Sequence, residues 1–278
     1  MRSGNLITSE KLKQILVQIK NENYKVPDTI DAFELALEMT KHIGNIDSEI
    51  RDKLVYVTYY YWCFNGVFTS EQLRQLLNIC IDEEHLFYKI GEKDTDSVFT
   101  RTFSILIIPL VLYVDQKSAF LTKDEIHNVK GKVIEYLELE KDLRGYVEGK
   151  GWADARAHAA DVINDIAKSV YIGHIDLLNL LEVIRKKASI GDYPCVSNED
   201  ERMSTAVISI FERKILTDEE IICWIESFAP IEKIGIYPFD LYSKTNVNHF
   251  LSNLYFKLLN QNYPKLFMKT VNDTIKRI

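Results

Sequence analysis

The segment of this chain richest in reactive side chains runs from Arg144 to Asp161, RGYVEGKGWADARAHAAD. Three of the chain's 11 glycines, Gly145, Gly149 and Gly151, fall inside it. Glycines at that spacing let a backbone turn tightly or approach another group closely. The side chains between and beside them, Arg144, Glu148, Lys150 and Trp152, are then displayed from a short loop. A helix is predicted from near Trp152 to about Val170. On it Asp154, His158 and Asp161 stand at i, i+4 and i+7 and share one face. The apolar stripe Ala159, Val162, Ile163, Ile166 and Val170 lies about 110° round from that polar face. Ala153, Ala157 and Ala160 form a third, small-residue face.

Three kinds of chemistry suit this pattern. The polar stripe flanking the core can line a groove wall that binds a polar small molecule or a peptide without a cofactor. Alternatively, Asp154, His158 and Asp161 can supply three ligands to a divalent metal, with Glu148 as a base, the arrangement of a metal-dependent hydrolase. The purely structural reading is a satisfied network of salt bridges and hydrogen bonds. Elsewhere, Glu199-Asp200-Glu201 followed by Arg202 suits the first turn of a helix, where negative charge meets the dipole. The Tyr59-Tyr60-Tyr61-Trp62 run, with Phe64 and Phe68 beyond it, reads as a wide core-facing helix surface. His85 sits at an acidic helix end and reads as solvated, and His42, His127 and His249 have no evident partner.

The elements that must position these residues are helices. The chain has 11 Gly and 6 Pro in 278 residues, is 46% hydrophobic, and shows no convincing run of apolar–polar alternation. Leu12, Ile15, Leu16 and Ile19 recur at helical spacing, as do Ile126, Val129, Val133 and Leu137. Four helix starts share one signature: ITSEKL at 7–12, FTSEQL at 68–73, LTKDEI at 121–126 and LTDEEI at 216–221. In each, a Thr (Thr8, Thr69, Thr122, Thr217) suits the N-cap. Gln72, Glu125 and Glu220 complete capping boxes, and the apolar residues around each cap form a hydrophobic staple. A fifth start, at Ile172-Gly173-His174, keeps the staple with Gly at the cap. These starts recur roughly every 40 to 60 residues, room for a helix pair each. The expected fold is all-α: ten to twelve helices in stacked antiparallel pairs, a HEAT/armadillo-like α-solenoid, within a single domain spanning 1–278. A non-repetitive orthogonal helical array is the alternative. Loops are predicted at about 88–97, 189–199 and 231–245.

A net charge of −7 and a pI near 5.5 give no basic footprint for nucleic acid. The longest apolar run, Phe103 to Val114, is shorter than the roughly 20 residues a bilayer span needs, so it reads as a core helix kinked at Pro109. Cys63, Cys80, Cys195 and Cys223 form no CxxC pair and read as buried free thiols in a reducing cytosol. The expected setting is cytoplasmic, without nucleic-acid or membrane partners.

At Arg144–Ala153, then Ala157-His158 and Asp161, the chain resembles a bacterial family known as domain of unknown function 2785. VFTRTFS at 98–104, with Arg101, NEDERMS at 198–204, and NHFLSNLYFKLL at 248–259 also resemble it. The chain departs from the family pattern at Asp154, where many members carry His. The resemblance implies a single helical domain whose shared function sits at the Arg144–Asp161 segment and Arg101. It brings no activity with it.

Overall fold

The structure, a computed structural model, describes residues 7–231 and 234–278. Glu232 and Lys233, inside the expected 231–245 loop, lie outside the described residues. The described chain contains twelve α-helices, one π-helix and one short hairpin. It gathers into two compact units. The first takes residues up to Leu121 together with 139–142 and 146–155; the second takes 122–138, 143–145 and 156–278.

The first unit holds α1 (Ser9–Asn21), α2 (Ala32–Thr40), the π-helix Glu49–Tyr56 running into α3 (Val57–Phe64), α4 (Ser70–Cys80) and α5 (Ser97–Lys117). It also holds β1 (Tyr146–Val147) and β2 (Gly151–Trp152). α5 packs against α3, α4 and the π-helix, while α1 packs on the π-helix and α3. By length and composition α5 is apolar enough to cross a membrane, and 72% of its most apolar window is buried inside the protein. Pro109 lies within it and donates no backbone hydrogen bond. The aromatic run divides across α3. Tyr59 and Trp62 are buried, with Tyr59 Oη donating to Ala36 O at 2.5 Å and Trp62 Nε1 to Tyr24 O at 2.9 Å. Tyr60, Tyr61 and Phe64, expected to face the core, are instead partly exposed, because a helix cannot turn six consecutive positions inward.

The second unit holds α6 (Lys123–Leu139, up to Glu138), α7 (Ala155–Lys168, from Arg156), α8 (His174–Ala188) and α9 (Glu199–Glu212). α10 (Asp218–Glu226), α11 (Phe239–Asn260) and α12 (Lys265–Ile275) complete it. α11 packs on α9 and α12, and α10 packs on α12. An aromatic cluster of Trp224, Phe228, Phe250, Phe211 and Phe267 fills its core with mostly edge-to-face contacts. Residues 239–245, expected in a loop, form the first turns of α11.

All five recurrent helix starts are where the sequence places them. Thr8 Oγ1 accepts from Lys11 N, and Thr69 and Thr217 form complete capping boxes with Gln72 and Glu220. Thr122 exchanges hydrogen bonds with Glu125 at 2.7 and 3.3 Å. At the glycine start only half the box exists: Gly173 N donates to Asp176 Oδ2 at 3.0 Å. Each such cap is worth about 1 kcal/mol of helix stability.

Candidate functional site

The glycine-rich stretch is a hairpin and not the plain loop expected. β1 and β2 pair antiparallel with Tyr146 opposite Trp152 and Val147 opposite Gly151. Lys150 N donates to Val147 O at 3.0 Å to close the turn, with Gly149 left-handed at φ 74°. Gly151 is also left-handed, at φ 85°, and a Cβ there would stand 2.8 Å from Ser48 Cβ and 3.1 Å from Arg51 Nη2. Glycine is therefore required both for the backbone angle and for the close approach.

That approach is toward the π-helix. A π-turn carries one extra residue per turn and is a rare feature found mostly at special sites. Here it brings Arg51 wholly inside the first unit. Arg51 Nη2 donates to Lys150 O at 2.6 Å and Nη1 to Asn45 O at 2.7 Å. Its Nε lies 2.8 Å from Asp52 Oδ1, and its guanidinium stacks over Phe99 and Phe103 at 4.2 and 4.6 Å. Burial pushes the Asp52 carboxyl up to about 6, against the pull of Arg51. Val147 and Ala153 pack with Val98 and Phe99 behind the hairpin. Lys150 Nζ meets both Asp96 oxygens, at 2.6 and 2.8 Å.

With its backbone held on four sides, the hairpin displays its outer side chains. Tyr146 is 59% exposed and Trp152 44%, and their rings meet edge-to-face with centroids 5.1 Å apart. Glu148 is exposed at the turn.

Arg101 is enclosed on α5 and every N–H is engaged. It grips Glu140 with two charge-assisted bonds, Nε to Oε2 at 2.6 Å and Nη2 to Oε1 at 2.9 Å. Its remaining donors reach Tyr88 O, Ser97 Oγ and Glu92 O. Glu140 Oε1 also accepts from Lys141 N and Asp142 N. This side chain organises the 88–97 loop and has no donor left for a ligand.

In the second unit the candidates are partnered with one another. Arg202 Nη1 donates to Asp161 Oδ2 at 2.7 Å, joining α9 to α7. Burial raises the Asp161 carboxyl to about 6, with Arg202 opposing and Asp165 and Glu201 adding to the rise. The acidic triplet does open α9, as expected, and each member is taken: Glu199 by buried Arg156, Asp200 by Asn253, Glu201 by Lys257. Arg144 is half-buried and engaged, and so is His158, deep in α7 at 4% exposure.

The predicted one-face stripe does not form. α7 begins at Ala155, so Asp154 lies outside the helix, left-handed at φ 54°, and its side chain is not in register with His158 and Asp161. A helix reaching back to Trp152 would put the three on one face, but Gly151 and Trp152 are taken by the hairpin. At the other end Val170 lies beyond α7 and is exposed. Among the described residues no three His, Cys, Asp or Glu side chains converge to hold a metal ion.

Arg51, Asp52, Asp96, Glu140 and Arg156 belong to these arrangements and no sequence pattern announced them. Asp52 pairs with its neighbour Arg51, but the other partners are far away in the chain: Arg51 and Lys150 are 99 positions apart. The only hint was that Asp96 and Glu140 are charged residues next to predicted apolar helices.

Fold and site together define a mostly helical protein in which a buried arginine clamps a hairpin that bears an exposed aromatic pair. The chain belongs to the family described as protein of unknown function (DUF2785), whose model matches residues 86–256, more than half of the chain. The matched span includes Arg101, the hairpin and α7 to α10, whereas the π-helix and Arg51 precede it. No curated protein and no solved structure matches the chain.

Proposed function

We propose that this chain is a cytoplasmic binding module that recognises a polar small molecule or peptide through the hairpin of the Arg144–Asp161 segment. The observation that carries the reading is the pairing of a rigid backbone with an exposed aromatic pair, Tyr146 and Trp152, facing each other across the two strands. Tyr146 and Trp152 stand out from a hairpin held from behind at the Lys150 carbonyl, at Gly151 and at the flanking Val147 and Ala153. Tyr and Trp offer large contact area at little conformational cost, and such residues dominate binding energy where they are displayed. Glu148 and Lys150, in the turn, add polar groups to the same hairpin. The finer fold reading, helix pairs stacked in the manner of a HEAT or armadillo solenoid, is supported by the five recurring capped starts. The metal-dependent hydrolase alternative loses its ligand register with Asp154 outside α7.

The test uses the protein's own tryptophans. Trp62 and Trp224 are buried, so Trp152 is the exposed reporter. Titrating cytosolic metabolite fractions and peptide pools should quench or shift Trp152 emission. Trp152→Phe should remove that signal, and Tyr146→Ala should weaken binding about 10-fold or more, in the range of an aromatic hot spot, with the melting midpoint unchanged. Ligands that bind equally well to both variants would overturn the assignment to the hairpin.

A further inference from the structure

A second arrangement, apart from the hairpin, has the parts of a covalent acyl-transfer site. Ser9, the first residue of α1, lies with its Oγ 3.2 Å from His42 Nδ1. The other ring nitrogen, Nε2, is 2.9 Å from the carbonyl oxygen of Ile7. A carbonyl only accepts, so Nε2 carries the proton, and in the neutral ring Nδ1 is left as an acceptor for the Ser9 hydroxyl. Asn45 Nδ2 donates to Ser9 Oγ at 3.1 Å. One hydroxyl is thus held by a base on one side and by an amide donor on the other, with the base oriented through its far nitrogen. This is the nucleophile–base–orienter logic of covalent catalysis, with a peptide carbonyl as the orienting group.

The surroundings are built to hold these groups in place. Asn45 has its own carbonyl gripped by buried Arg51 at 2.7 Å. The preceding turn presses so closely on α5 that a Cβ on Gly44 would stand 2.0 Å from Thr100 Oγ1. Ile7 N donates to Glu38 Oε1 at 2.9 Å, which fixes the peptide that orients His42. Ser9, His42 and Asn45 line a cavity of about 500 Å³, whose far wall includes His85, Tyr88 and Thr100. That volume suits a small molecule. His85 Nδ1 lies 2.8 Å from Asp82 Oδ1, leaving its Nε2 without a partner among the described residues. A second oriented imidazole therefore stands in the wall of the cavity that holds the serine.

We infer that Ser9 is a nucleophile, His42 its general base, and the cavity a site for a compact ester with a polar acyl group. Ser9 Oγ bonds to the ester carbonyl carbon as its proton passes to His42 Nδ1, and the carbonyl π-electrons move onto oxygen. Lys11 N is taken by the Thr8 cap, but the Ser9 and Glu10 amides have no carbonyl partner within the helix, begin at the nucleophile itself and suit that developing charge. Collapse breaks the bond to the leaving alcohol, which departs with the proton from His42. Water then attacks the acyl-Ser9, gives its proton to His42, and Ser9 leaves reprotonated as the carboxylic acid is released. The polar lining, from Asn45, Thr100, Tyr88 and His85, selects a short polar acyl group over a long hydrocarbon chain.

The experiment uses the full chain. A fluorophosphonate probe is mapped by peptide mass spectrometry, and p-nitrophenyl acetate hydrolysis is followed in parallel. The expected result is a single adduct on Ser9, together with turnover that falls at least about 100-fold in Ser9→Ala and in His42→Gln, the usual scale of a lost base. His42→Gln retains hydrogen-bonding groups but no base, and Val170→Ala, at an exposed position beyond α7, should leave both readouts unchanged. Absence of an adduct, an adduct on another residue, or turnover that survives in Ser9→Ala would overturn the inference. The labelling is done on the unaltered protein, so an unfolded variant does not blur the result, and the outcome is independent of what the hairpin binds.

Discussion

Two buried arginines show how the same residue type does different work. Arg101 is satisfied by a carboxylate and by the carbonyls of one nearby loop, so it is a local tie between α5 and the 88–97 segment. Arg51 joins backbone oxygens on two other segments, at Asn45 and Lys150, and so positions both the Ser9 cavity and the hairpin. Its neighbour Asp52 makes a testable contribution to pH dependence. Asp52 ionises near 3.8 when unfolded, whereas burial raises it to about 6 in the fold. Between those values the folded state binds more protons than the unfolded state. The stability this carboxyl contributes is complete below about pH 4 and is lost as pH rises through 6. Its side chain keeps partial solvent access, so the loss is on the order of 1–2 kcal/mol and not the full value of the shift. Asp161, also raised to about 6, contributes to the same fall, so urea unfolding at pH 4 and pH 7 should show a loss in the wild-type protein that Asp52→Asn reduces by that amount. Equal slopes for the two proteins would show that Asp52 is not the titrating group.

At the scale of elements, helix starts were legible and irregular backbone was not. A cap, a staple and a box are local devices spanning at most six residues, so Thr8, Thr69, Thr122, Gly173 and Thr217 could be read directly from their neighbours. The π-helix has no comparable signature, since its extra residue per turn is imposed by what packs around it. The hairpin was half legible: its glycines marked a tight turn, but two-residue strands are too short to show alternation. Two glycine substitutions separate these cases. Gly131 lies inside α6 with open space around its Cβ position. Gly131→Ala should therefore stabilise the protein by about 0.5–1 kcal/mol, the usual helix gain. Gly151→Ala, against a left-handed φ and a crowded Ser48, should cost about 1–3 kcal/mol. Denaturant midpoints of the two variants moving in the same direction would contradict this account.

For the whole molecule, the cysteines provide a readout of how completely the chain is packed. Cys63, Cys80 and Cys195 are buried as expected, whereas Cys223, also expected to be buried, falls on the outer face of α10 and is exposed; none is in a disulfide. Burial pushes the thiols of Cys63 and Cys195 up to about 12, far from the reactive thiolate form. An aromatic disulfide reagent at neutral pH should therefore titrate one thiol of four in the native protein and all four after denaturation. Rapid reaction of two or more in native conditions would mean that one of the cores opens readily. The helical class, the five capped starts and the buried helix around Pro109 were determined by the sequence itself, because hydrophobic periodicity and capping act over a few neighbouring residues. The clamp of Arg51 on Lys150, the grip of Arg101 on Glu140 and the meeting of Ser9 with His42 were decided only by tertiary structure. Each joins residues at least 33 positions apart, and no local pattern encodes which distant polar group a buried donor will meet. The same cause undid the Asp154–His158–Asp161 stripe: packing took Gly151 and Trp152 into a hairpin, and the helix began too late to carry Asp154.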